Sequence, residues 1–364
     1  MVEAREREPK GAGKKGNQSP QQLVSAVPQY VARHFDERFL PPGHAFRLYF
    51  KGWTEKTWEL SKSEKLRALQ SVVNLGNCKS LLEKLAERTI RLAEGDPRRC
   101  LVLLAQTTAP FTTGLGNEHP LENGFAFLDP YGLPYLPGSG VKGVVRRAAE
   151  ELALFESEKG GWTLGMLWWL LGFDGNSAYL KEDVKNVPEV VRNEHHRWRK
   201  AYLTALSSFE NDPLGDAFIR MVAGDESQAR KAVMEALQGK DINTLHRIHT
   251  RGLLEFLDVL PKPPEGSLRV DIMNPHYGHY YQKGQPPGDW GEPVPIFFLT
   301  LPPGTEFTFV VRWSPPLGLA QRFPAVTEYF ESSANGEPRW KKLVRAAFDY
   351  ALQWLGFGAK TAIG

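Results

Sequence analysis

Apolar positions recur at three- and four-residue steps through residues 61–92. Leu66, Leu69, Val72 and Val73, and then Leu81, Leu82 and Leu85, stand between Lys and Glu, which predicts amphipathic helices. Residues 100–108 (CLVLLAQTT) form a short, almost continuously apolar run, the pattern of a buried central strand, and a Gly-rich loop follows at 113–117. Next, Pro137-Gly138-Ser139-Gly140 opens directly into a pattern with Val141, Val144, Val145, Ala148 and Leu152 on one helix face. Residues 164–254 keep a helical period, broken at 172–176 and at Pro188, and predict a helical insertion over about 160–250. In the C-terminal third, GLLEFLDVLP, SLRVDIM, VPIFFLTLP and TEFTFVVRW are short apolar or alternating runs bounded by Pro and Gly. They predict strands, with Pro302-Pro303-Gly304 as the turn joining the last two. A final helix over 340–355 ends in Gly356-Phe357-Gly358-Ala359-Lys360-Thr361.

Strand, helix, strands, helix is the order of an α+β fold with helices on one face of an antiparallel sheet. The expected organisation is a flexible tail over 1–20, too poor in apolar residues to offset the entropy of ordering, then a helical region over 21–99 and a domain over 100–364 that carries the insertion. Lys+Arg 45 against Asp+Glu 42 leaves a net charge of only +3, so any nucleic-acid contact has to rest on a local patch. Cys78 and Cys100 make neither a CxxC pair nor a disulfide framework, which fits a reducing compartment. No apolar run approaches the ~20 residues of a membrane span, and the N-terminus is charged, so a soluble cytoplasmic protein is expected.

Both glycine loops suit anions. Gly138, Gly140 and Gly143 lack Cβ atoms, Ser139 and Lys142 add a hydroxyl and a cation, and a helix N-terminus follows. In mirror order, the second loop ends a helix at Gly356 and Gly358 and then offers Lys360 and Thr361. Everyday capping explains either loop singly; two of them, each with a lysine, point to a phosphate-backbone groove. Neither has the GxxxxGK[ST] spacing of a nucleoside-triphosphate site. Arg146 and Arg147 extend the basic patch, with ion pairs to Glu150 or Glu151 as the ordinary alternative. His246 and His249, or His276 and His279, with Asp271 or Glu255, have ligand-like spacing, but no Cys pair or HExxH accompanies them, and no metal or cofactor is expected. The run from His276 and Tyr277 to Tyr281 is either a stacking surface for unpaired bases or a buried aromatic plug. His119 is a candidate acid or base without an evident partner, with a structural or RNA-contacting role as the alternative. Asp129, Asp258 and Asp271 are capping or solvated carboxylates by default, and Trp168 and Trp169 are core residues.

The blocks GLGNEHPLENGFAFLDPYGLPYLPGSGVKGVVRRAAE (114–150), GLLEFLDVLP (252–261), VDIMNPHYGHYY (270–281) and GFGAKTAIG (356–364) occur in that order. Together they resemble the RAMP superfamily, in particular the family of the sixth RAMP subunit of type III-B (Cmr) CRISPR complexes. The likeness runs from about residue 101 to the end. It implies a RAMP-type ferredoxin-like (RRM-like) core that binds the guide RNA, helps hold a single-stranded target RNA and caps one end of a filament. Its implied neighbours are the repeated backbone subunit, the other end-capping RAMP subunit and the small helical subunit, with no membrane. Catalysis in such a complex is expected on other subunits. The rivals are an endoribonuclease acting on CRISPR transcripts and a nucleotide-binding α+β enzyme. Such a glycine loop is expected to lead into a further aromatic-containing strand, which the residues up to Gly364 leave short or absent.

Overall fold

The structure is a computed structural model. It describes residues 23–359 apart from 33, 35, 37–38, 62–64, 122, 157–159, 275–283, 285–294 and 334–335. The expected tail and closing strand lie outside these residues.

At the centre is an antiparallel sheet of β3 (Cys100–Gln106), β8 (Leu254–Phe256) and β11 (Glu306–Trp313), in the order β3-β11-β8. Its register sets Leu101 against Val311, Leu103 against Phe309 and Ala105 against Phe307, while Val311 also meets Phe256 of β8. β11 is apolar on both sides, with Phe307, Phe309, Val310, Val311 and Trp313 all buried. The continuous apolar run of β3 predicted a central strand, but β3 lies at the edge. Among the described residues nothing pairs with its outer side, and Leu104 is 79% exposed. Only Cys100 and Leu101 of the strand are buried, so its apolar run does not mark a central position.

On one face lie α4 (Gly138–Phe155) and α10 (Arg339–Tyr350). α4 buries Val141, Val145, Ala148 and Leu152, and α10 buries Trp340, Val344, Ala347 and Phe348. Both stripes follow the three- and four-residue steps of an amphipathic helix. The Phe348 ring sits 5.3 Å from Phe309. The opposite face is not open as the sequence pattern suggested. α3 (Cys78–Gly95) packs there through Ala93, against Cys100 and Val310. Successive strand residues point to opposite faces, so Val310 facing α3 and Phe309 facing α10 place helices on both sides.

The region 21–99 is mixed, not wholly helical. Around α1 (Pro42–Arg47) and α2 (Lys65–Gln70), β1 (Leu23–Ser25) pairs with β2 (Lys51–Thr54). Strands of three and four residues are too short to display alternation. Further on, β4 (Phe127–Leu128) pairs with β5 (Leu133–Pro134), and β6 (Phe173–Asp174) pairs with β7 (His249–Thr250). The stretch expected as a helical insertion contains α5 (Leu164–Leu171), α6 (Glu189–Ser207), α7 (Pro213–Ala223) and α8 (Ser227–Leu237). It shares one continuous core with the sheet and α4. Trp168 and Trp169 are core residues as expected, and Trp168 packs within about 5 Å of Phe173, Phe209 and Phe218. β9 (Arg269–Met273) and β10 (Ile296–Thr300) pair with each other. The turn at Gly304, whose φ is +82°, therefore joins strands of different sheets. α9 (Pro324–Glu331) precedes α10, and a π-helical turn, Ala351–Leu355, follows it.

Candidate nucleic-acid interface

Leu136 exchanges backbone hydrogen bonds with Val259, fixing the chain beside β8 just before α4 begins. The Gly138 N–H then donates to Asp258 Oδ1 at 2.7 Å, so the first amide that the loop offered to phosphate is already capped. A Cβ on Gly138 would sit 2.1 Å from the Phe256 carbonyl oxygen, so close packing on β8 explains this glycine without a ligand. Gly140 and Gly143 are different. Around Gly143 no atom lies within 4 Å of a Cβ, and at Gly140 only Leu136 does, at 3.9 Å. Ser139, Gly140 and Gly143 are exposed, so the amino end of an 18-residue helix opens to solvent.

Lys142 lies half-buried one turn in, with no carboxylate in ion-pair range among the described residues. Burial lowers its pKa, and the neighbouring charges of Arg146 and Arg251 lower it further. Arg146 and Arg147 follow the ordinary alternative. Arg146 pairs with Glu150 at 3.1 Å and donates to the Gly172 carbonyl at 2.7 Å. Arg147 pairs with Glu151 at 2.8 Å and lies 3.7 Å over the Trp198 ring. Both guanidiniums hold ion pairs within the fold, with Arg146 Nη2 buried without a hydrogen-bond partner among the described residues and Arg147 still half exposed.

At the second loop, Gly356 and Gly358 adopt φ of +71° and +101°, which disfavour any side chain. A Cβ on Gly358 would also lie 2.7 Å from the Thr112 carbonyl oxygen. That carbonyl accepts from the Ala359 N–H at 2.8 Å, and Phe357 is buried against Phe309. Lys360 and Thr361 lie outside the described residues. A cleft of about 660 Å³ is lined by Gly356 and Phe357 of the second loop and by Leu136, which precedes the first, while residues 138–143 are not among its walls. Its walls, with Leu104 of β3 and Phe307 among them, are mainly apolar, and Lys142 is not in them. The second loop thus borders a mainly apolar cleft that the chain before the first loop reaches only through Leu136.

His119 is held on all sides. Its Nδ1 accepts from the Leu121 N–H at 3.1 Å, its Nε2 lies 2.9 Å from the Phe46 carbonyl oxygen, and its ring stacks on Phe46 at 3.8 Å. That pattern requires the neutral Nε2–H tautomer, and burial lowers the pKa accordingly. With both nitrogens used, the ring joins α1 to the loop before β4 and has no lone pair or proton free for catalysis. His276 and Tyr277 lie outside the described residues. Of the other candidates, Glu255 pairs with Arg312, Asp129 pairs with Arg47, Asp271 accepts from the Ile272 N–H, and His249 lies 3.6 Å from Asp174. No group of three or more His, Cys, Asp or Glu able to hold a metal occurs among the described residues, and no helix there is long and apolar enough to cross a membrane. The default reading of Asp258 as a capping carboxylate holds, but sequence reasoning did not identify its partner Gly138, 120 residues away. It also missed Arg251, whose neighbours His246 and His249 drew attention to metal spacing.

A family model described as RAMP superfamily matches residues 104–364. The CRISPR system Cmr subunit Cmr6 of Pyrococcus furiosus is 29% identical over 269 residues, which are 71% of this chain and 64% of that protein. The chain thus spans just under two thirds of the length of this relative. Among solved structures, a chain of the type III-B Cmr-beta complex bound to cognate target RNA is 14% identical with a TM-score of 0.35, covering 76% of this chain and 70% of its own. The crystal structure of Cmr6 from Pyrococcus furiosus is 25% identical with a TM-score of 0.26, covering 73% and 95%.

Proposed function

Because the chain belongs to the RAMP superfamily, we propose that it is a non-catalytic RNA-binding and assembly subunit of a type III-B CRISPR effector. In this reading it contacts the guide-RNA backbone at the amino end of α4 and caps a filament of related subunits. The observation that carries the reading is Lys142. It is a half-buried cation with no carboxylate partner among the described residues, felt by the like charges of Arg146 and Arg251, at an exposed helix N-terminus. Such a group is destabilised until an anion arrives, and a phosphate supplies one. A protein using Lys142 only to hold its fold would have paired it, as it pairs Arg146 and Arg147. The non-catalytic part of the reading is supported by His119, whose two ring nitrogens are both engaged. Further support comes from the similarity to Cmr6 over most of the chain.

The test is RNA affinity across a series of salt concentrations. If Lys142 neutralises one phosphate of a single strand, Lys142→Ala flattens the log–log slope by about 0.7 and weakens binding by about tenfold. The loss should be equal for unrelated sequences, since phosphates carry no base information. An unchanged slope removes Lys142 from the interface. Specific cleavage of a repeat RNA by the purified chain, abolished by a point substitution in it, would favour a ribonuclease instead.

A further inference from the structure

Arg247, Arg251 and Arg322 come from distant stretches of chain, the first two beside β7 and the third in the single-turn helix Leu319–Arg322. All three line one groove of about 580 Å³, and no Asp or Glu is among its lining residues. Among the described residues none of the three has a carboxylate in ion-pair range, whereas Arg230 and Arg312 each hold one. Four acids lie around the groove. Asp174 faces His249 at 3.6 Å, Asp241 is held by the hydroxyl and N–H of Thr244, and Asp216 and Asp225 line the adjoining pocket that Arg322 shares, Asp216 being held by Arg220 and Arg230; among the described residues none forms an ion pair with the three arginines. Cations that line one groove without an ion pair to hold them repel one another, and the arrangement is stabilised when a polyanion fills the space.

The apolar parts of the groove narrow the class of polyanion. Ile248 and Leu253 are buried beneath it, while Leu317 stands fully exposed on the rim beside Phe323. An inorganic phosphate has no use for such surfaces, but a strand of nucleic acid alternates charged phosphates with flat apolar bases. Arg251 also relates the groove to the site already described, since its positive charge is felt at Lys142 and lowers that ammonium's pKa. We infer that this groove binds the ribose-phosphate backbone of a single RNA strand, continuing the track that begins at the amino end of α4. The inference rests on the RNA-binding reading and adds its path and three arginines.

The experiment uses the full chain and a labelled, unstructured oligouridylate long enough to exceed a binding site of about 4–16 nucleotides. Arg247→Ala, Arg251→Ala and Arg322→Ala should each flatten the salt slope by about 0.7, and the triple variant by about 2. Each single change should weaken binding by about tenfold, with melting temperature unchanged, and the corresponding lysine substitutions should keep the slope. Oligouridylate carrying 4-thiouridine should crosslink within residues 316–323. If Lys142→Ala changes the slope while the triple variant does not, the groove assignment falls and the RNA-binding reading stands. If the unaltered chain binds no RNA, both fall. If the triple variant binds RNA normally but no longer enters a reconstituted effector, the groove is a protein interface and the inference is overturned.

Discussion

Lys142 and His119 show opposite uses of a partly buried titratable side chain. For Lys142, burial and the charges of Arg146 and Arg251 disfavour the ammonium, so its folded pKa lies below its unfolded value. Its cost is fully present below the folded pKa and is relieved as pH rises toward the unfolded one. Lys142→Met should therefore raise the melting temperature at neutral pH while weakening RNA binding, a pairing that a purely structural lysine would not give. Thermal scans beside binding isotherms check both halves. His119 is also depressed, by burial, but its neutral ring is fully hydrogen-bonded. Its stabilisation is intact above the unfolded value of 6.5 and is lost as pH falls from there to the folded pKa. Melting temperatures measured between about pH 7.5 and 5 should fall less in His119→Gln than in the unaltered protein; equal slopes would mean that the ring titrates freely.

At the scale of elements, Glu150, Arg146 and Tyr179 tie α4 to the end of α5. The Tyr179 hydroxyl donates to Glu150 at 3.0 Å, and Arg146 reaches from Glu150 to the carbonyls of Leu171 and Gly172. Burial outweighs the arginine's attraction and holds the Glu150 carboxyl above its ordinary range, so the cluster is costly to assemble. Glu150→Ala, which leaves a buried guanidinium without its counter-charge, should cost about 3–5 kcal/mol in urea unfolding. Replacing both members of the pair, as Arg146→Met with Glu150→Leu, should recover most of that loss. The helices α3, α4 and α10 are legible in sequence because their apolar stripes run for three turns or more. β1 and β2 are not, being shorter than two periods of alternation. The apolar run of β3 continues through the exposed Leu104, so periodicity could not separate edge from centre. At the site, the loops could be read from their glycines. The Gly138 contact to Phe256 and the Asp258 cap depend on chain separated by more than a hundred residues, which no local pattern encodes.

Across the whole molecule, one core extends from Phe46 and Phe50 through α4 and the helices α5 to α8 to Phe357. A domain divided by few contacts unfolds in steps, whereas a shared core unfolds together. Calorimetry should show a single transition, and a separate early melting of α5 to α8 would contradict the continuity. The outer side of β3 has a different bearing, on how the isolated protein behaves in a tube. A bare strand edge offers unpaired N–H and C=O groups to any other edge it meets, and charged side chains are the usual deterrent. Here the middle of β3 shows Leu104, 79% exposed, and the adjoining cleft shows Trp354, 73% exposed. Preparations without partner subunits should scatter more light as concentration rises, and Leu104→Lys should suppress that clouding without lowering the melting temperature.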